Sequence, residues 1–192
     1  SMSIMNDKKG LIMGVANERS IAWGIAKTLA ENGAEIAFSY QNDGFKKRLT
    51  PLMKSIKSDK SFECDVSKDA SDVNSIENMF EKISKVWNEI DFVVHALAYS
   101  DKEELKGKYV NCSRENFLNS LDISTFSFTR IAKSSLPFMS SKGGSLLTLS
   151  YLGAERTTPN YNVMGVAKSA LEASIKYLAM DLGKDNIRVN AL

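Results

Sequence analysis

The sequence is poor in the residues that staple small domains or bind metals. Its two cysteines, Cys64 and Cys112, lie far apart, and His95 is the single histidine. Neither cysteine sits in a Cys-x-x-Cys pair or has a histidine at ligand spacing, which disfavours a disulfide framework and a zinc site; no metal is expected. Two lone cysteines and no leader segment fit a reducing cytosol, so a cytoplasmic location is expected. No apolar run approaches the ~18 residues of a membrane span, so no membrane partner is expected. A dominant charge is missing too. The 25 Lys+Arg stand against 23 Asp+Glu, a net +2, which leaves no basic footprint for nucleic acid. The longest basic cluster, Lys46, Lys47 and Arg48, reads as a solvated helix face. There is no repeat, no low-complexity tract and no Pro/Gly-rich linker.

What is present is an ordinary globular composition. With 192 residues and 43% of them hydrophobic, the chain suits one domain with a substantial core. Short apolar runs recur at 11–15, 34–40, 61–66, 91–97, 145–152 and 187–192. Several are continuously apolar, as strands buried on both faces should be. Longer segments with helical spacing separate them. Ser20 can cap a first helix through Ile21, Ile25 and Leu29, which Gly33 stops. A second, at 43–55, contains Pro51, which should break or start it. Segment 71–87 places Val73, Ile76, Met79, Phe80, Ile83, Val86 and Trp87 on one broad face. Segment 113–136 is apolar on more than one side, and 159–182 opens with proline, as helices often do. Repeated β-α alternation argues for a parallel sheet covered by helices on both faces, doubly wound by right-handed crossovers. Ligands of such sheets bind beyond the carboxyl ends of the strands.

The first strand end runs through Gly14, Val15 and Ala16 to Ser20 and Ile21 at a helix start. Small residues there let a backbone approach a pyrophosphate, and free amides with the helix dipole favour an anion. The spacing departs from Gly-x-Gly-x-x-Gly. The Ser20 hydroxyl could bond a phosphate oxygen or only cap the helix. The second strand ends at Gln41, which can hydrogen-bond a ribose hydroxyl, and no arginine stands there for a 2′-phosphate, so NADH is favoured over NADPH. A surface polar role for Gln41 is equally open. Beyond the third strand, Asp65 and the Val66 backbone could meet adenine, or Asp65 could cap the following loop.

The fifth strand leads past Tyr151 to Tyr161 and Lys168, seven residues apart. On a helix that is nearly two turns, so both project from one side. A small group, such as a ribose edge, fits between them. A cation near the phenol favours its ionised form and makes it a better donor to a developing oxyanion.

Residues 147–156 (LTLSYLGAER) and 159–168 (PNYNVMGVAK) resemble the bacterial enoyl-acyl-carrier-protein reductases of the divergent short-chain dehydrogenase/reductase superfamily. The resemblance extends to GVA at 14–16, SIAWGIA at 20–26, FSYQ at 38–41, CDV at 64–66, KYVN at 108–111, LDIS at 121–124 and RVNA at 188–191. It is collinear over essentially the whole chain. It implies a Rossmann-type doubly wound parallel sheet, three layers α/β/α, in a single domain. Tyr161 is similar to the family's catalytic tyrosine, Lys168 to the lysine that holds the nicotinamide ribose, and Tyr151 to a second tyrosine lining the acyl site. Met164 falls where the family contacts substrate. Gly14, Ala16, Ser20 and Ile21 match the pyrophosphate turn, Gln41 the adenosine-ribose end, and Asp65 and Val66 the adenine edge. Ala98 stands where ordinary short-chain dehydrogenases carry glycine, and can still let the backbone pass beneath the cofactor.

The implied reaction is NADH-dependent reduction of a trans-2-enoyl thioester in fatty acid biosynthesis. The implied partners are an enoyl-acyl carrier protein and further copies of this chain in a homotetramer. The apolar excess of 113–136 and 159–182 suits helices buried against a neighbour, and Lys46, Lys47, Arg48 and Arg156 are candidates for receiving an acidic carrier. His95 invites a general-acid role, but its strand context favours a half-buried structural one. Ser1 ahead of Met2 reads as an appended residue. Residues 3–192 are expected to form the dinucleotide-binding domain without the C-terminal lid and last strand of relatives. Two alternatives stay open: a carbonyl or alcohol dehydrogenase of the same superfamily, which the glycine at position 165 disfavours by removing a Tyr-x3-Lys pair, and a non-catalytic dinucleotide-binding module.

Overall fold

The apolar runs become strands of one parallel sheet in the computed structural model, which describes residues 4–139, 141–149 and 161–192. In chain order the main elements are β1 (Lys9–Met13), α1 (Ile21–Glu31), β2 (Glu35–Tyr40), α2 (Asp43–Ser55), β3 (Lys60–Glu63), α3 (Ile76–Ser84), β4 (Phe92–His95), α4 (Arg114–Leu121), α5 (Ser127–Ser135), β5 (Gly144–Thr148), α6 (Val163–Leu182) and β6 (Ile187–Ala191). The strand order is β3-β2-β1-β4-β5-β6, and every pairing is parallel. This is the doubly wound arrangement expected from the sequence. Its order reverses between β1 and β4, where a crevice opens above the carboxyl ends.

Alternation along β1 builds the two cores. Leu11 and Met13 pack with Ile76, Met79, Phe80 and Ile83 of α3, Phe128 and Ile131 of α5 and Leu171 of α6. Ile12 faces the other way, with Ala22, Trp23 and Ala26 of α1 and Leu49 and Met53 of α2. All three β1 side chains are essentially fully buried. Two apolar runs outlast their strands: β3 ends at Glu63 and β4 at His95, and the residues that follow turn up into the crevice.

Three helix expectations need correction. Pro51 does not interrupt α2, which runs through it. Pro51 lies on the exposed side, where a carbonyl left without its amide partner can be solvated. Segment 71–87 is helical only from Ile76 to Ser84, capped by Ser75, and Val73 and Val86 are exposed rather than part of the buried face. Segment 113–136 is α4 and α5 joined by a π-helical turn at Asp122–Phe126. No helix of the described residues is long and apolar enough to cross a membrane.

Candidate active site

The chain leaves β1 at Gly14, whose φ of +101° is a left-handed conformation that glycine tolerates without strain. A Cβ there would lie 2.0 Å from the carbonyl oxygen of Ala96, so the exits of β1 and β4 touch backbone to backbone. Ser20 stands at the N-cap of α1, but its side chain makes no capping bond. Its Oγ instead accepts from the amides of Ala16 at 2.9 Å and Asn17 at 3.1 Å. The capping role is therefore not taken up. The hydroxyl orders the turn, and the first-turn amides of α1 have no intrahelical acceptor. Ile21 opens the helix with its side chain exposed.

A cleft of about 680 Å³ occupies the strand ends, within the ~300–1,000 Å³ of small-molecule sites. Gly14, Ala16, Gln41, Asp65, Val66 and Ala98 line it, so six positions singled out in the sequence converge on one cavity. Phe45, Tyr99, Asn119 and Ile123 also line it and were not foreseen. The motif at 121–124 was the one hint of Ile123. The Asp65 carboxylate accepts from the amide and hydroxyl of Ser67 at 2.9 and 2.6 Å, so Asp65 does cap its loop while facing the cleft. Near Gln41, the Lys46 ammonium sits 5.4 Å from the centre of the Tyr40 ring, and the Arg48 guanidinium 4.7 Å from that of Phe45.

Helix α6 carries the second group of residues. Lys168 is 7% exposed and its Nζ donates to the Leu149 carbonyl at 3.3 Å, just past β5. Burial lowers its pKa from the ordinary lysine value. The π turn fastens this helix to the cleft wall. Thr125 Oγ1 donates to the Ala167 carbonyl at 2.7 Å, and Ser124 Oγ lies 3.8 Å from Met164 Sδ. The same Ser124 hydroxyl lies 2.9 Å from the Tyr99 amide and 3.0 Å from its carbonyl oxygen.

Tyr161 departs from expectation in two ways. It precedes α6 instead of sharing its periodicity, because Asn162 turns the chain at φ 43°, ψ −118°. Asn162 is pinned there by Nδ2, which donates to the carbonyls of Leu105 at 3.1 Å and Gly107 at 3.2 Å. The same-face argument from helix geometry therefore does not place Tyr161; this turn does. Its phenol is also not driven toward ionisation. Burial pushes its pKa up to about 12, so it is a neutral donor at physiological pH. Tyr151, Arg156 and Pro159 lie outside the described residues.

His95 is completely buried rather than half-buried, at 2.8 Å from both the Thr148 and Ser127 hydroxyls.

The family described as Enoyl-(Acyl carrier protein) reductase matches residues 14–192. The chain is 54% identical over 189 residues to enoyl-[acyl-carrier-protein] reductase [NADH] 1 of Rhizobium meliloti, covering 98% of this chain and 68% of that protein. It is 44% identical to the corresponding NADH enzyme of Aquifex aeolicus, covering 100% of this chain and 69% of the relative. The crystal structure of the Anaplasma phagocytophilum enoyl-acyl-carrier-protein reductase in complex with NAD superposes with a TM-score of 0.92 at 55% identity, covering 100% of this chain and 71% of that one.

Proposed function

Because this chain belongs to the enoyl-acyl-carrier-protein reductase family, we propose that its cleft and helix α6 work as one site for NADH-dependent reduction of enoyl-acyl-carrier-protein thioesters in fatty acid biosynthesis. The observation that carries this is the convergence of Gly14, Ala16, Gln41, Asp65, Val66 and Ala98 on one cavity tied by the π turn to the helix of Lys168. The residues present fit a dinucleotide. At the β1 exit Gly14 brings no Cβ, the first-turn amides of α1 are left uncapped by Ser20, and Gln41 and Asp65 line the cleft beside them with polar groups.

When bound, NADH supplies a hydride to the β-carbon of the trans-2 double bond. Tyr161 donates a hydrogen bond to the thioester oxygen as negative charge gathers there. Its high pKa keeps that proton in place throughout the neutral range. A proton from solvent water then adds at the α-carbon of the enolate and completes the saturated acyl chain. Lys168, held at the β5 exit, grips the nicotinamide ribose hydroxyls. Met164 and Tyr151 border the acyl chain, and the α1 start with Gly14, Ala16, Ser20 and Ile21 receives the pyrophosphate. The carrier protein is acidic, and the basic side chains of Lys46, Lys47, Arg48 and Arg156 are candidate contacts. The reading includes a cytoplasmic homotetramer.

The test follows loss of NADH absorbance with a crotonyl thioester and, separately, a ketone. Consumption with the thioester alone is expected; consumption with the ketone, or NADH binding without turnover, would sink the proposal. In the same assay Tyr161→Phe should lower kcat by roughly 10²-fold, the usual loss for one oxyanion donor, with NADH still bound. Lys168→Ala should instead weaken NADH binding.

A further inference from the structure

Arg130 lies outside the cleft lining, yet its side chain ends on the turn that forms the adenine edge. It leaves α5, and its Nη1 donates to the Val66 carbonyl and Nη2 to the Lys68 carbonyl, both at 2.8 Å. Nη2 and Nε also reach the two carboxylate oxygens of Glu77 on α3, at 2.8 and 3.4 Å. Only 15% of the Arg130 side chain is exposed.

The turn it grips is tight. The Lys68 amide donates to the Asp65 carbonyl at 3.1 Å, and the Ser67 amide to Asp65 Oδ1 at 2.9 Å. Cys64, Asp65, Val66 and Ser67 all line the cleft. Two carbonyls of the turn are thus held from behind while its residues face the cavity. A planar guanidinium can serve two carbonyls and a carboxylate at once; an ammonium on a flexible stem cannot hold that fork.

We propose that Arg130 is a positioning residue for the adenine end of the dinucleotide, linking α3 and α5 to the turn at Asp65 and Val66. This rests on the NADH site argued above. It makes a specific demand. Loosening the turn should penalise a ligand that reaches it and spare one that does not.

Reduced nicotinamide mononucleotide lacks the adenosine half of NADH and so supplies the contrast. The experiment compares wild type with Arg130→Lys, measuring dissociation constants for both ligands and kcat with crotonyl thioester at saturating NADH. The variant should bind NADH about tenfold more weakly, the scale of one charge-assisted hydrogen bond. Its mononucleotide affinity should not change, and kcat should stay within about twofold. Equal weakening of both ligands, or unchanged NADH affinity, overturns the inference. If Arg130→Lys folds poorly, Glu77→Gln, which leaves the arginine in place but removes its counter-charge, should show the same selective loss on a smaller scale. Wild type that binds no NADH would remove the site reading and this inference together. Wild type that binds it, beside variants that bind it equally well, would remove the inference alone.

Discussion

His95 shows how one side chain can be locked out of the chemistry its type suggests. The Ser127 hydroxyl donates to the Ile123 carbonyl at 2.7 Å, so toward His95 it acts as acceptor and Nε2 carries the hydrogen. Nδ1 then accepts from the Thr148 hydroxyl. Burial, aided by the positive charge of Lys168, pulls the imidazole pKa from 6.5 down to about 3. The ring is neutral at physiological pH and joins β4, β5 and α5 instead of shuttling protons. The depressed pKa has a definite sign for stability. Its contribution is complete above pH 6.5 and falls as pH drops toward 3, because the unfolded chain takes up the proton first. Urea unfolding followed from below pH 6.5 down to about pH 4 should lose roughly 1.4 kcal/mol per unit from this group. A His95→Asn variant, although less stable at neutral pH, should lack that part of the slope. An unchanged slope would refute the assignment.

At the scale of elements, the turn at Asn162 decides where Tyr161 stands. Its positive φ is uncommon for a residue with a side chain, and two carbonyl contacts to the 105–107 segment hold it. Asn162→Gly removes the contacts and leaves the backbone relaxed. Asn162→Ala removes the same contacts but keeps a Cβ in this conformation, a strain of roughly 1–3 kcal/mol that glycine avoids. The alanine variant should therefore unfold at lower urea concentration than the glycine variant, and both should lose turnover because Tyr161 is no longer held; equal midpoints would contradict the strain argument. This turn was not legible in the sequence, where the Tyr161–Lys168 spacing read as one continuous helix. The central strands β1, β2 and β4 were legible, because burial on both faces writes itself as nearly unbroken apolar runs. So were Gly14, Gln41 and Asp65, which follow from where those runs end. Local patterning misses what depends on distant partners. Pro51 is tolerated because its side of α2 meets water. The π turn at Asp122–Phe126 is held by Tyr99 and Ala167, far away in the chain. Arg130, a charged residue in a helix, carries no local sign of the carbonyls it serves.

Over the whole molecule, helices lie on both faces of the sheet, and some helix surface is left outward. Leu118 of α4, Phe126 of the π turn, and Tyr177 and Met180 of α6 are each more than half exposed, the last two at 69% and 70%. Apolar side chains left outward on these elements support the proposed association of several copies. Light scattering behind size exclusion should give a tetramer for the wild type. Tyr177→Arg combined with Met180→Glu should shift it to smaller species with the fold intact by circular dichroism. A wild-type monomer would remove the tetramer from the reading.

The position of the cleft across the sheet has a further consequence. Its proposed phosphate end rests on β1, which has hydrogen-bonded neighbours on either side and whose Leu11, Ile12 and Met13 are sealed from water. Its proposed adenine end rests beyond β3, an outermost strand, where every side chain is only partly covered. The margin of a sheet opens more readily than its middle. The two halves of the cavity therefore breathe unequally: the amide hydrogens of Leu11, Ile12 and Met13 outlast those of β3 in deuterated water, and a guest spanning both ends quiets the loose one most.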